Sequence, residues 1–230
     1  MEGKTVLIVY AHQDPRSMNG SLKDAAVDVF HKRGYRVIVS DLYAMEFNAV
    51  ATKNDVLGDL CNPEHFNYAT ETTEAFKSGL LCEEITKEQK KIQDADLIIF
   101  QFPLYWFSFP AIMKGWIDRV FIKGFAFNVP SHRCDGLLQG KKALLSFTTG
   151  GTKEMYSKEG AKGDIQLVIW PIHHGILHFC GIKVLVPHIA YAPELVTEEK
   201  RKEIITLWAQ RLENIWDEKP IDCTSSCLFK

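Results

Sequence analysis

The sequence predicts an α/β protein with a doubly wound parallel sheet. Three observations lead to this fold class: five short apolar runs recur along the chain, each run is nearly continuous, and segments with helical spacing separate them. Continuous β-branched runs are typical of strands buried on both faces, as in a parallel sheet covered by helices. In such folds ligands bind beyond the carboxyl ends of the strands.

The five predicted strands span residues 6–9, 37–39, 97–100, 143–147 and 184–186. The crossover between the first two is short enough to form a right-handed β-α-β unit. Two irregular stretches, about residues 42–70 and 123–141, are expected to be excursions from the sheet.

Three helices are predicted from the spacing of apolar residues. In the first, over residues 22–30, apolar positions recur at i, i+3, i+4 and i+7, and Gly34 supplies the stop. The second covers residues 111–121. The third starts after Thr197, a suitable N-cap, with Glu198 and Glu199 beside the positive end of the helix dipole.

Composition narrows the function classes. With 230 residues, 46% of them hydrophobic and 24% charged, the chain has ample material for a core and is not disordered, collagen-like or a coiled coil. The 27 basic and 29 acidic residues nearly cancel, so we expect no nucleic-acid or anionic-lipid binding.

No uncharged apolar run is long enough to span a membrane, and residues 1–4 lead into a strand without a secretory segment, so a cytosolic location is expected. The six cysteines are scattered and expected to be mostly reduced.

Chemically suggestive residues follow three of the predicted strands. Residues 10–21 form a polar turn into a helix start, either a phosphate site or a simple capped turn. Residues 102–110 hold five aromatic residues in nine, which either cover a flat ligand or partner, or seal the end of the sheet. Gly150 and Gly151 let a ligand approach the backbone closely or simply make a tight turn. Together these strand ends favour a nucleotide-like cofactor with a planar ring.

Six stretches then carry a family resemblance that covers essentially the whole chain. Residues 6–12, 41–45, 101–107, 114–116, 148–151 and 177–181 resemble the vertebrate flavin-dependent quinone reductases, and among them the shorter paralogue, which oxidises dihydronicotinamide riboside. The resemblance implies a flavodoxin-like homodimer with one FAD per subunit and active sites at the dimer interface. It also implies a catalytic FAD-binding domain over residues 1–220 and a metal-tied tail over residues 221–230.

The resemblance assigns the site residue by residue. The positions matching FAD contacts are His12, Ser17, Met18, Asn19 and Ser21 for the diphosphate, Asn67 from the other subunit, Pro103, Leu104, Tyr105, Trp106 and Phe107 along the isoalloxazine ring, Thr148, Thr149, Gly150, Gly151 and Tyr156 at its pyrimidine side, and Glu194 and Arg201 around the adenosine half. The positions matching the substrate slot are Phe107, Phe127, Gly150, Gly151, Met155 and Phe179. Aromatic walls suit a nicotinamide or a quinone stacked on the flavin.

The implied mechanism is ping-pong, with hydride passing from a dihydronicotinamide to FAD and two electrons then passing to a quinone. Tyr156, Gly150 and Lys162 are the expected catalytic residues. Lys162 departs from the family, which has His or Asn there. Two interpretations stand side by side: Lys162 points inward and stabilises negative charge on reduced flavin or a substrate carbonyl, or it is a solvated loop lysine. Residues 131–134 also depart from the family's aromatic pattern, which leaves the quinone preference open.

A metal site is suggested near the C-terminus. His174 and His178 lie four residues apart, a spacing that places two imidazoles on one helix face, although His173 could serve instead. The resemblance adds Cys223 as the third ligand, with its backbone carbonyl as the fourth, and implies a structural zinc. Cys227 is either a competing ligand or a disulfide partner.

The leading hypothesis is thus two-electron quinone reduction with dihydronicotinamide riboside as preferred donor. The chain stops seven residues after Cys223, without the extension that helps the longer paralogue to hold NAD(P)H, which favours the small donor. The alternatives are an NAD(P)H-dependent quinone reductase or azoreductase of the same fold, a flavodoxin-type electron carrier, and an idle flavoprotein that acts as a binding partner.

Overall fold

The computed structural model describes residues 3–128 and 136–222 and confirms the predicted fold class. Its sheet is parallel throughout, with the strand order β2-β1-β3-β4-β5, and β6 also pairs with β4. The strands are β1 (Thr5–Tyr10), β2 (Arg36–Asp41), β3 (Leu97–Pro103), β4 (Lys142–Thr149), β5 (Lys183–Val184) and β6 (His188–Tyr191).

Six α-helices surround this sheet. They are α1 (Met18–Lys32), α2 (Tyr68–Ser78), α3 (Glu83–Asp94), α4 (Ala111–Val120), α5 (Ile165–Ile172) and α6 (Glu198–Glu213). One face of the sheet packs against α1 and α6, where Phe30 and Trp208 are fully buried. The opposite face packs against α3, α4 and α5, with Trp116 at its centre. One apolar cluster therefore lies on each face of the sheet, as a doubly wound fold requires.

The three predicted helices form close to the expected bounds. Ser17 caps α1, its hydroxyl accepting from the N–H of Gly20 at 3.1 Å, and the chain leaves the helix through Gly34 with φ at 74°. Thr197 caps α6, as predicted, by accepting from the N–H of Lys200 at 3.3 Å.

The last strand differs from the prediction. The run 184–186 was expected to be one strand, but β5 ends at Val184, and Val186 is 53% exposed. The chain passes Pro187 and then pairs with the second half of β4 as β6, so the fifth strand is split into two short pieces. Helices α2, α3 and α5 were not predicted, and α5 continues as a π-helix over His173–His178.

A buried ion cluster anchors the first excursion to α4. The Arg119 guanidinium donates to both oxygens of Asp55, at 3.1 and 2.6 Å, and to Glu84 and the carbonyl of Asn48. Arg119 and Asp55 are both 3% exposed. Tyr68 at the start of α2 donates to the same Asp55 carboxylate at 2.7 Å. The irregular segment around residues 48–68 is therefore held by charge rather than by regular secondary structure.

Within the described residues, no helix is both long and apolar enough to cross a membrane.

Candidate active site

A cavity of about 690 Å³ opens where β1, β3, β4 and β6 end. Parallel strands place their carboxyl ends at the same sheet edge, so loops distant in sequence meet there. The cavity is lined by His12, Asp14, Ser17, Met18, Asn19, Pro103, Leu104, Tyr105, Thr148, Thr149, Gly150, Ala192, Pro193, Glu194, Leu195 and Arg201. The structure thus brings together most of the predicted cofactor-binding residues.

The N-terminus of α1 forms one end of this cavity. Its first turn contains no acidic side chain, so no carboxylate of α1 itself offsets the positive end of the helix dipole. Gly20 is required by packing, because a Cβ would lie 1.9 Å from the carbonyl oxygen of Pro15. Asp14 also lines this end, and a hydrogen bond from the Arg16 N–H at 2.9 Å lowers the pKa of its carboxyl. The helix end is suited to an anionic group such as a diphosphate.

Asn19 turns its side chain into the protein. Its amide nitrogen donates to the Thr148 hydroxyl and its oxygen accepts from the Gln101 amide, both at 2.9 Å. The residue is 2% exposed. With both side-chain groups committed, Asn19 can contact a cofactor through its backbone, while its side chain ties α1 to the ends of β3 and β4.

The loop after β3 is strained. Trp106 and Phe107 have φ values of 47° and 62°, a left-handed conformation that costs a non-glycine residue about 1–2 kcal/mol. The turn is closed by the bridge between Tyr105 and Ser108, and Trp106 is 95% exposed. Strain of this kind is concentrated at functional sites, where the surrounding structure holds it in place.

The loop after β4 borders the cavity, and its residues Gly150 and Gly151 form the glycine floor. Gly150 lines the cavity, and a Cβ there would meet no protein atom within 4 Å. At Gly151, by contrast, a Cβ would lie 2.9 Å from Cε of Lys162 and 3.0 Å from the ring of Tyr156. The first glycine leaves room for a ligand, and the second leaves room for the Lys162 side chain.

Tyr156 and Lys162 meet Phe107 beside this floor. The rings of Tyr156 and Phe107 are 6.2 Å apart, and the Lys162 ammonium lies 5.9 Å from each ring centroid. Burial raises the pKa of the Tyr156 hydroxyl, which keeps it protonated as a hydrogen-bond donor at neutral pH. Lys162 therefore points toward the glycine floor, as the inward interpretation requires, although the residue is exposed.

Several predicted residues lie outside the cavity lining: Ser21, Asn67, Trp106, Phe107, Phe127, Gly151, Met155, Tyr156, Lys162 and Phe179. Ser21 donates to the carbonyl of Ser17 at 3.2 Å, and Asn67 caps α2 by accepting from the Thr70 N–H at 3.0 Å. Phe127 and Phe179 pack against each other, with ring centroids 5.4 Å apart. Among the described residues, that pair makes no ring contact with Phe107 or Tyr156.

The far end of the cavity is built by the loop after β6. Arg201 donates to the carbonyls of Pro193 and Val196, at 3.2 and 2.7 Å, and so holds the loop that carries Glu194. Sequence reasoning missed Ala192, Pro193 and Leu195 here, because β6 itself was not predicted. Recognising His188–Tyr191 as a strand would have pointed to the residues that follow it.

The predicted metal-binding histidines lie close together. His174 stacks between Trp170 and His178, with ring centroids 4.4 and 5.6 Å away and nearly parallel planes. The buried Nδ1 of His178 has no hydrogen-bond partner among residues 3–128 and 136–222, as a metal-binding nitrogen would require. Among the described residues no three His, Cys, Asp or Glu side chains form a metal-binding group. Cys223 and Cys227 lie outside the described part of the chain.

Comparison with known proteins decides the family. The family profile described as a flavodoxin-like fold matches residues 4–215. The human ribosyldihydronicotinamide dehydrogenase [quinone] is 60% identical over 229 residues, covering 100% of this chain and 99% of its own. The chain belongs to this family of flavodoxin-like quinone dehydrogenases. It is therefore an oxidoreductase, and the family inferred from the sequence is confirmed.

Two further relatives extend the comparison. The rat NAD(P)H dehydrogenase [quinone] 1 is 45% identical, and the match covers 100% of this chain and 84% of that protein. The solved structure of a proposed quinone reductase from Klebsiella pneumoniae is 39% identical with a TM-score of 0.91, covering 95% of this chain and 87% of that one. Members of the family thus share the fold across nearly the whole chain.

Proposed function

We propose that this chain is an FAD-dependent enzyme that reduces quinones by two electrons in a ping-pong reaction, with dihydronicotinamide riboside as preferred donor. The observation that carries the proposal is one continuous cavity joining a helix N-terminus suited to phosphate with a glycine floor. The 60% identical human relative is named for its action on ribosyldihydronicotinamide and quinone, which supports the choice of donor and acceptor.

The residues present fit a bound flavin. The open space above Gly150 accommodates a flat ring, and the start of α1 suits a diphosphate. Leu104 and Tyr105 would lie along the ring, while Glu194 and Arg201 would meet the adenosine half. When bound, FAD would accept a hydride from the donor and pass two electrons to the quinone.

The protein's contribution is orientation and charge stabilisation. Tyr156 offers a protonated hydroxyl, Lys162 a cation, and Gly150 an unobstructed backbone, all at one end of the glycine floor. Donors that face a developing negative charge in a preorganised site stabilise it without reorganisation. We assign these three residues to stabilising negative charge on the reduced ring or on the quinone oxygen.

We further propose a homodimer in which each site is completed by the second subunit. The Phe127 and Phe179 pair and Asn67 lie outside the lining of the cavity in their own chain. Phe179 is 43% exposed and Met155 42% exposed, as expected of surfaces that a partner covers. Sedimentation of the holoprotein should give a dimer, and a monomer with full activity would contradict the arrangement.

We also propose a structural zinc held by His174, His178 and Cys223. The parallel rings of the two histidines, and the Nδ1 of His178, which lacks a partner within the described part of the chain, support the first two ligands. Such a site would tie residues 221–230 to the domain. Metal analysis of Cys223→Ser should show loss of zinc with FAD retained, and unchanged zinc would refute the assignment.

The decisive experiment is anaerobic reduction of the bound flavin by stopped flow. Dihydronicotinamide riboside should reduce it faster than NADH or NADPH, and menadione should then reoxidise it. A faster reaction with either dinucleotide would place the chain with the NAD(P)H-dependent reductases. A flavin that only a protein partner can reduce would support an electron carrier instead.

A further inference from the structure

The position of Lys162 is fixed by its backbone and by the stem of its side chain. Its N–H donates to the carbonyl of Met155 at 2.9 Å, which closes the loop that carries it. Gly160 permits this closure, because a Cβ there would lie 2.4 Å from the carbonyl oxygens of Glu154 and Met155. The methylenes of Lys162 then pass directly over Gly151. The loop and the glycine together aim the amine at the aromatic corner formed by Phe107 and Tyr156.

The ammonium and the two rings form a nearly equilateral triangle. The ammonium lies 5.9 Å from each ring centroid, and the centroids are 6.2 Å apart. A cation within about 6 Å of a ring face is attracted by the ring quadrupole. The amine is therefore a third corner of the triangle rather than an ion sandwiched between two rings, and one side of it remains accessible.

No carboxylate of the described residues neutralises the Lys162 ammonium. In the described parts of the chain, no carboxylate oxygen lies within 4.0 Å of the Lys162 amine, whereas nine other lysines form ion pairs. Two nearby acidic groups have other partners: a hydrogen bond with the Thr152 side chain lowers the pKa of Glu154, and Asp164 accepts from the Gln166 N–H at 2.9 Å. An accessible, unpaired cation therefore stands beside the glycine floor.

We propose that Lys162 selects substrates by charge, favouring those that carry a phosphate, carboxylate or sulfonate over neutral substrates with the same reacting ring. The inference rests on the proposed quinone reductase function and adds a substrate class to it. The anionic group could belong to the donor, as in the 5′-phosphate of dihydronicotinamide mononucleotide, or to the acceptor, as in a sulfonated quinone. The attraction is electrostatic, so it weakens as salt screens it.

The test compares matched substrates in the holoenzyme. The donor pair is dihydronicotinamide mononucleotide against the riboside, and the acceptor pair is 1,2-naphthoquinone-4-sulfonate against 1,2-naphthoquinone. For each pair the ratio of kcat/KM, anionic over neutral, is measured in the wild type and in Lys162→Gln, Lys162→Arg and Lys158→Gln. Lys158 is an exposed lysine of the same loop and controls for a general change of charge.

In Lys162→Gln the ratio should fall about three- to fivefold at low salt in at least one pair, the effect of one exposed charge interaction. Lys162→Arg should keep the ratio, and Lys158→Gln should not change it. The wild-type preference should shrink in 0.5 M salt, because the screening length there is about three times shorter than at low salt. The arm that responds identifies whether donor or acceptor carries the anion. A ratio unchanged in both arms, or lowered equally by Lys158→Gln, would overturn the proposal.

Binding separates this inference from the proposed function. Equilibrium titration of the oxidised holoprotein with the sulfonated and neutral naphthoquinones, followed by flavin absorbance, reports charge selection without turnover. If the wild type reduces no quinone but binds the sulfonate more tightly in a Lys162-dependent manner, the proposed function fails and the inference stands. If Lys162→Gln binds both ligands as the wild type does, the inference fails whatever the activity.

Discussion

Replacing Asn19 with alanine should both destabilise the protein and weaken its hold on the flavin. Asn19 makes two buried hydrogen bonds of 2.9 Å, to Thr148 and from Gln101. Each is worth about 1 kcal/mol net, and a buried polar group left without a partner costs about 1–3 kcal/mol more. The side-chain carbonyl oxygen of Gln101 already lacks a partner among the described residues, so the variant would leave that amide without any hydrogen bond to them.

We expect Asn19→Ala to lower the free energy of unfolding by about 2–4 kcal/mol. For a chain of this length that corresponds to a Tm lower by about 4–16 °C. Flavin dissociation should become faster, because the start of α1 and Thr148 would no longer be held together. Urea unfolding and flavin fluorescence measure the two effects. Asp28→Ala, an exposed change on the same helix, should stay within about 0.5 kcal/mol of wild type.

A double-mutant cycle identifies the cause. In a Gln101→Met background no amide is left unpaired, so Asn19→Ala should cost at least about 1 kcal/mol less than it does in the wild type. If Asn19→Ala alone is as mild as Asp28→Ala, or if the two changes are simply additive, the buried network does not hold the site as described.

Three further predictions concern other parts of the molecule. Asp55→Asn should lower the free energy of unfolding by about 3–5 kcal/mol, because it leaves the buried Arg119 charge poorly compensated. Adding Arg119→Met should recover part of that loss in urea unfolding, and additive losses would contradict this. Burial lowers the pKa of His188 to about 4, compared with 6.5 in the unfolded chain. The neutral imidazole therefore contributes up to about 3 kcal/mol to the free energy of unfolding above pH 6.5, and this contribution is lost as the pH falls toward 4. His188→Phe should flatten the stability profile across that window, and an unchanged slope would show that His188 does not titrate this way. Trp106→Gly should raise the free energy of unfolding of the flavin-free protein by about 1 kcal/mol, because glycine adopts the left-handed φ without strain. The same change should weaken flavin binding. A loss of stability would show that the backbone at Trp106 is not strained.

The sheet was predictable because its central strands are apolar without interruption. All six residues of β1 and all seven of β3 are buried, which produces the continuous runs visible in the sequence. Helix α3 could not be predicted in the same way. Its buried positions include Glu88 and Gln89 beside Ile85 and Ile92, so the apolar spacing is interrupted. The buried Glu88 carboxylate forms a local ion pair with Lys91, and it also accepts from Trp116 at 2.9 Å and Ser40 at 2.7 Å, which lie far away in the sequence.

The candidate site, like the fold, was predictable from the sequence only in part. The resemblance indicated which residues surround the cavity, including Asn19, and short motifs after β1, β3 and β4 pointed to the same edge of the sheet. What Asn19 does there depends on Gln101 and Thr148, which lie 82 and 129 residues away in the chain. The orientation of Lys162 likewise depends on the space above Gly151. Such contacts form only when the fold is complete, and a single sequence does not display them.

The split of the fifth strand has a consequence for aggregation. An edge strand with free N–H and C=O groups is a template on which another chain can add a strand. Here that edge consists of two residues in β5 and four in β6, and Pro187 between them has no N–H to donate. An intermolecular sheet cannot propagate along an edge so short and interrupted. The interruption that obscured this strand in the sequence thus also protects this edge of the sheet against strand addition.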